Sequence, residues 1–195
     1  RLSLVGSEMC IRDSYYFMNN NRYDGMWFQD YQHGAGTMYY HNGDLYVGNW
    51  ANDKREGEGT YTWANGAKYS GHWKNDKKNG KGTMNWDDGC KYEGDWKNNK
   101  REGKGIYKWS NGDVYEGDWK NNRPHGQGSL KTVAGMQYKG GFVDGLEDGQ
   151  GVQIDKDGNR FEGFFKQGKK DGPFVETDKD GKVIKKGTYK MGRLL

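Results

Sequence analysis

An aromatic residue recurs at a fixed interval of 23 through most of the chain: Tyr23, Tyr46, Tyr69, Tyr92, Tyr115, Tyr138 and Phe161. Taking that residue as position 1 of a repeat, positions 3, 12 and 21 are glycine in all seven copies, as in Gly48, Gly57 and Gly66. Position 14 is glycine in every copy but the last, where Phe174 stands. Position 5 is Trp27, Trp50, Trp73, Trp96 and Trp119, then Phe142 and Phe165; the other three tryptophans, Trp63, Trp86 and Trp109, share position 18. A chain with this period cannot be built as one undivided core. Each unit must bury its rings against its neighbours.

Within a unit the pattern alternates by two, the strand period. In the fourth repeat Tyr92, Gly94 and Trp96 fall on one face and Glu93, Asp95 and Lys97 on the other; Gly103, Gly105, Tyr107 and Trp109 continue the aromatic face. Asn42-Gly43, Asn65-Gly66, Asp88-Gly89, Asn111-Gly112, Asp157-Gly158 and Asp180-Gly181 are hairpin signals, because glycine accepts positive φ. A three-residue loop ending in that glycine, with a bulge, keeps positions 1, 3, 5 and 14, 16, 18 on one face. At the other end, positions 8 to 11 read as a four-residue loop, which sets Trp50 opposite Gly59 and Gly48 opposite Tyr61. Each ring would then face a residue with no side chain, which explains glycine inside strands. The expected fold is all-β: a single-layer antiparallel meander of hairpins, elongated and twisted into a shallow groove, with almost no helix. The aromatic columns Tyr46, Trp50, Tyr61, Trp63, Tyr69, Trp73, Trp86, Tyr92, Trp96, Tyr107, Trp109, Tyr115 and Trp119 form its core.

The ends break the pattern. Residues 14–22 align with the second half of a repeat, Tyr15 and Phe17 holding its aromatic columns, while Ile11 and Asp13 stand where glycine belongs. Residues 2–14 resemble a translated adapter sequence, the alternative being a native disordered tail, and either predicts that residues 1–13 are irregular. Seven repeats fill residues 23–184. The sixth and seventh are degraded, with Gln153 and Glu176 at position 16, and a one-residue insertion precedes Gly187 and Tyr189. Residues 185–195 read as a terminal strand capping the array.

Composition narrows the function. Cys10 and Cys90 offer no disulfide framework, and no run of apolar residues is long enough for a membrane-spanning helix. The 31 basic and 27 acidic residues nearly cancel, which gives little support to nucleic-acid binding by stacking. His33, His41, His72 and His125 lack ligand spacing. Asp155-Lys156-Asp157-Gly158-Asn159 begins like a calcium loop, but Lys166 stands at its twelfth position. The Gly-x-Gly pairs lie inside strands, not before helices. No cofactor, metal or catalytic constellation is expected.

The unit Tyr-Glu-Gly-Asp-Trp-Lys-Asn-Asn at Tyr92–Asn99 and Tyr115–Asn122, continued by Gly-Lys-Gly at Gly103–Gly105, resembles the MORN (membrane occupation and recognition nexus) repeat. The resemblance implies a non-enzymatic scaffold with protein partners, at cytoskeletal structures such as ciliary axonemes, and self-association. It also implies two alternatives: a peripheral module on anionic phospholipid or phosphoinositide, or the regulatory region of a longer enzyme such as a phosphatidylinositol phosphate kinase. The expected setting is cytoplasmic, on the cytoskeleton or at a membrane. One feature of the residues themselves bears on the lipid alternative. Positions 9 and 10 are Lys54-Arg55, Lys77-Lys78, Lys100-Arg101, Arg123 (with Pro124) and Lys169-Lys170. Placed in loops, they make a basic ridge along one edge, a candidate contact for anionic lipid or a partner. The plainer reading is a solvated edge that blocks aggregation.

Overall fold

The computed structural model describes residues 2–5 and 8–195, with side chains from residue 11 onward. Among the described residues there is no helix. The chain divides into two compact units, Arg1–Lys100 and Arg101–Leu195. The first carries β1 (Leu2–Val5), β2 (Glu8–Tyr16), β3 (Arg22–Phe28), β4 (Tyr31–Tyr39), β5 (Leu45–Ala51), β6 (Lys54–Thr62), β7 (Lys68–Lys74), β8 (Lys77–Asn85) and β9 (Lys91–Lys97). The second begins with β10 (Lys100–Lys108) and continues with β11 (Val114–Lys120), β12 (Arg123–Lys131), β13 (Gln137–Val143), β14 (Leu146–Ile154), β15 (Arg160–Lys166), β16 (Lys169–Thr177), β17 (Val183–Lys190) and β18 (Arg193–Leu194). Within each unit every strand pairs antiparallel with the next, so the expected all-β meander is what forms.

The Asn-Gly turns are of the expected kind. Between β6 and β7 the Gly66 N–H donates to the Trp63 carbonyl at 2.9 Å and the Trp63 N–H to Ala67 at 2.9 Å. Ala64-Asn65-Gly66 is therefore a three-residue loop closed by glycine at φ 91°. Tyr61 then pairs with Tyr69 and Gly59 with Gly71, keeping the ring columns on one face.

The opposite turns correct the sequence reading. They are two-residue turns, not four-residue loops: Asn52 and Asp53 both take positive φ, 49° and 64°. Asn75-Asp76, Asn98-Asn99 and Asn121-Asn122 repeat this geometry, which Asn and Asp tolerate better than other side chains. The strand resumes at Lys54, three residues earlier than expected, so Trp50 pairs with Arg55, Gly48 with Gly59 and Tyr46 with Tyr61. A bulge between Gly48 and Trp50 absorbs the difference. The glycine that does face a ring is at position 12 of the preceding repeat, as where Gly57 pairs with Trp73.

Both ends also differ from expectation. Residues 8–13 are not irregular: β2 runs through them and pairs Ile11 with Trp27, Asp13 with Gly25 and Tyr15 with Tyr23, in the register of a full repeat. The segment 185–195 is a hairpin of β17 and β18 rather than one strand. The one-residue insertion is taken up by a register shift at Glu176/Thr177.

Candidate functional site

The position 1 tyrosines organise the framework. Tyr23, Tyr46, Tyr69 and Tyr92 are all at 0% exposure. Each ring lies across two bare backbones: a Cβ at Gly82 would meet the Tyr69 hydroxyl at 2.3 Å, and one at Gly59 would meet that of Tyr46 at 2.2 Å. The bulge turns the position 4 carbonyl toward the ring, and the hydroxyl donates to it, from Tyr46 to Asn49 O at 3.0 Å and from Tyr69 to His72 O at 3.0 Å. Burial raises the hydroxyl pKa of these tyrosines well above its usual value. The position 5 indoles stand edge-on to two tyrosines, Trp73 at 5.1 Å from Tyr69 and 5.5 Å from Tyr46. The Trp73 indole N–H donates to Gly59 O at 3.1 Å and that of Trp96 to Gly82 O at 3.0 Å.

Polar columns join one repeat to the next. The position 8 carboxylate or amide accepts from the backbone N–H at position 10 of the preceding repeat: Asp53 from Gln32 at 2.8 Å, Asn99 from Lys78 at 2.8 Å, Asn122 from Arg101 at 2.8 Å. Glu56 and Glu102, at position 11, accept from the turn N–H groups of Asn75 and Asn121. These acidic residues are committed to turns, not spread along a solvated edge.

The basic ridge divides. Because positions 9 and 10 lie in strands, successive side chains point to opposite faces. Position 10 turns onto the aromatic face. Arg55 lies 4.3 Å from the Trp73 ring centre, 5.2 Å from Tyr61 and 5.7 Å from Tyr46, with its Nε on Asp76 at 2.9 Å. Lys78 sits over Trp96, Tyr69 and Trp63 at 4.6, 5.1 and 5.2 Å; Arg101 over Trp119 at 4.5 Å; Lys170 over Phe161 at 3.8 Å. Burial lowers the Lys170 pKa. Position 9 stays exposed on the other face, where Lys54, Lys77, Lys100, Arg123 and Lys169 lie. There the register sets Lys74 against Lys77, Lys120 against Arg123 and Lys166 against Lys169. Like charges directly opposite are destabilising. The sequence reading missed position 6, whose lysines carried the signal.

The aromatic face is covered unequally. First-strand columns are sealed, Trp50 at 5% and Trp73 at 3% exposure, except at Trp27, which is half-buried, whereas Tyr61, Trp63, Trp86, Tyr107 and Trp109 of the second strands are all half-buried. Within the first unit Tyr61, Trp63 and Trp86 form a partly open strip. Within the second unit only Tyr107 and Trp109 keep these columns aromatic; positions 16 and 18 then become Leu130 and Thr132, Gln153 and Asp155, and Glu176 and Asp178. Asp155 and Asp178 turn back to cap their own loops, on Asn159 N and Lys182 N at 2.9 Å. Turn chemistry thus accounts for the calcium-like run. In the first repeats the strip opens into a cleft of about 660 Å³ lined by Tyr15, Phe17, Trp27 and Met38 with Asp13, Asp30 and Asp53. His72 pairs with Glu58 at 2.6 Å and His125 lies 3.8 Å from Asp144.

A family model described as MORN repeat matches residues 23–45, 46–68, 69–91, 92–114, 115–136, 138–160 and 161–183. Among solved structures, the TCP domain of Drosophila melanogaster SAS-4 in complex with a proline-rich motif of Ana2 is similar at a TM-score of 0.50 and 12% identity, covering 97% of each chain. The TCP10c domain of the same fly protein aligns at a TM-score of 0.48 and 10% identity, over 92% of this chain and all of that one. No curated protein matches the chain.

Proposed function

Because the chain belongs to the MORN-repeat family, we propose that it is a non-enzymatic protein-interaction scaffold that holds an extended segment of a partner along its aromatic strip. The observation that carries this reading is the unequal covering of the rings. Tyr46, Trp50, Tyr69, Trp73, Tyr92 and Trp96 of the first strands are sealed by their own sheet, while Tyr61, Trp63 and Trp86 of the second remain half-buried. Partly exposed rings in a row are suited to extended or proline-rich segments, whose apolar residues dock on aromatic surfaces. The proline-rich motif held by the SAS-4 domain is in keeping with this, although the likeness to that domain concerns fold alone. A cytoskeletal setting, including cilia, belongs to the same proposal.

The test is affinity capture from native extract with the wild-type chain and with Trp63→Ala/Trp86→Ala. The proposal expects a stoichiometric partner that the variant loses at unchanged secondary structure. A partner retained by the variant would place docking elsewhere; no partner at all would remove the scaffold reading.

A second reading has its own observation. Lys74 with Lys77 in the first unit, and Lys120 with Arg123 and Lys166 with Lys169 in the second, hold like charges together, and none of them forms an ion pair with a described acidic residue. Such a row suits an anionic surface, at roughly 1 kcal/mol per basic residue near the bilayer. Flotation with phosphatidylserine vesicles should weaken when Lys74, Lys77, Lys120 and Arg123 become Gln, and stay unchanged when Arg55 and Lys78 do. Equal loss in both sets would contradict the division of the ridge.

A further inference from the structure

The outer row of cation pairs is interrupted once within the second unit. Positions 6 and 9 are Lys120 and Arg123 in the fifth repeat and Lys166 and Lys169 in the seventh, but Val143 and Leu146 in the sixth. Val143 pairs with Leu146 across the strands, as Lys120 does with Arg123 and Lys166 with Lys169. With two strands per repeat, each pair stands about 10 Å from the next. Val143 and Leu146 are 44% and 50% exposed, and Phe164, two residues before Lys166 on the same face, is 42% exposed.

The surroundings change with the pair. Position 4, which is Asp118 in the fifth repeat, is Gly141 in the sixth. Position 8, which is Asn122 in the fifth, is Gly145 and then Gly168. A Cβ at Gly168 would lie 3.8 Å from Leu146 Cδ2, so the bare turn leaves that side of the leucine uncovered. Polar side chains that border the fifth pair are thus missing where the pair turns apolar. The nearby carboxylates are engaged: Asp148 accepts from Gln167 N at 3.1 Å, Asp171 from Met191 N at 2.8 Å, and Asp144 lies 3.8 Å from His125 Nδ1. β13 pairs with β12 and β14, and β14 with β13 and β15, so no strand edge is open here to an added peptide strand. An apolar step between two cation pairs, bordered by bare glycines, complements the acyl boundary and phosphates of an anionic bilayer.

We propose that Val143 and Leu146 insert into an anionic lipid surface, while Lys120, Arg123, Lys166 and Lys169 bind phosphates on either side of them. This rests on the second reading of the outer row and specifies the residues that pass the headgroups. Cations alone hold the chain at the surface and release it when salt screens them. The apolar pair adds burial that salt does not screen. The basic stems flank the pair and turn their charged heads back to the phosphates.

The test uses the full chain on phosphatidylserine. The surface pressure of a monolayer reads insertion, and vesicle flotation at about 0.1 M and about 1 M salt separates screened from unscreened binding. Wild type should raise the pressure and keep part of its flotation at the higher salt. Val143→Thr/Leu146→Thr, which suits exposed strands, should bind about ten-fold more weakly and raise no pressure. Val143→Lys/Leu146→Lys adds the kind of pair the flanking repeats carry. It should float at least as well at low salt, yet lose the pressure rise and the salt-resistant fraction. A wild type that raises no pressure, or a rise unchanged in either variant, overturns the insertion and leaves the charge reading to the glutamine variants of the cationic row. If those float like wild type, the charge reading fails and the pressure decides the insertion alone. No flotation of wild type at either salt rejects both. A wild-type dimer in sedimentation that Val143→Thr/Leu146→Thr dissociates would give the face to a second copy and overturn the proposal.

Discussion

A tyrosine that lies flat over backbone makes its glycines obligatory. At Gly82 an added Cβ would sit 2.3 Å from the Tyr69 hydroxyl, which is itself bonded to His72 O. Neither can move without exposing a buried carbonyl. Gly82→Ala is therefore expected to cost about 1–3 kcal/mol through overpacking, read as a fall in urea midpoint. Tyr69→Phe should cost about 1–3 kcal/mol through the unpaired carbonyl. The double variant should cost somewhat less than the sum, because the hydroxyl is the nearest atom the methyl meets, while the Tyr69 ring carbons at 2.6 Å still crowd it. Additive losses would show that ring and glycine are not coupled. The seventh repeat has made this exchange already: Phe161 lacks the hydroxyl, Phe174 replaces the position 14 glycine, and the two rings stack at 5.1 Å. At this scale the columns were legible from sequence because each carries a fixed residue type. Which ring lay over which glycine was not, since that depends on a bulge with no residue signature of its own.

At the scale of the hairpin, the two turn types were unequally legible. Asn-Gly announces itself through a glycine at positive φ. Asn-Asp and Asn-Asn at positions 7 and 8 do not, since Asp and Asn in such pairs also serve as caps and loop residues. Placing the turn over positions 8 to 11 put Lys54 and Arg55 in a loop instead of a strand, and so merged two rows of cations that face opposite ways. The Asn-Gly end carries a second device. Asp44 accepts from Ala64 N at 2.9 Å, from the Tyr61 hydroxyl at 2.5 Å and from the Asn42 amide at 3.0 Å. Burial acts to raise its pKa, yet these donors outweigh it and hold the carboxyl below the usual range. A depressed folded pKa contributes stability that is present above the unfolded value and lost as pH falls through the folded one. The stability gap between wild type and Asp44→Asn should thus be widest at neutral pH and narrow toward about pH 3. A gap that does not change with pH would mean the Asp44 charge is not what joins these loops.

Over the whole chain, near-identical burial hides unequal bonding. In the second unit, Tyr115 and Trp119 are 1% and 4% exposed, and Phe161 and Phe165 are 3% and 4%. Apolar burial therefore does not separate the fifth repeat from the seventh. Hydrogen bonds do. Tyr115 donates to Asp118 O at 2.9 Å, Trp119 to Gly105 O at 3.0 Å, and Asn122 accepts from Arg101 N at 2.8 Å. Phe161 and Phe165 have no donors, and position 8 is Gly168, which has no side-chain acceptor. Three bonds at about 0.5–1.5 kcal/mol each come to roughly 2–4 kcal/mol. Repeat stability is a local sum of unit and interface contributions, so the loss should appear where it arises. Amide exchange in β15 and β16 is expected to be at least about ten-fold faster than in β11 and β12. End fraying predicts the same sign, so a substitution has to separate the two causes. Gln167 and Gly168 adopt φ of 50° and 75°, as Asn98 and Asn99 do at 49° and 68°, and Gly168 N already donates to Glu147 O at 2.9 Å. Gly168→Asn restores the missing acceptor without altering the turn. It should slow exchange at the Glu147 amide and in β15 and β16, and raise stability by about 0.5–1.5 kcal/mol. Unchanged exchange at Glu147 would mean that fraying, not the missing acceptor, sets the gradient.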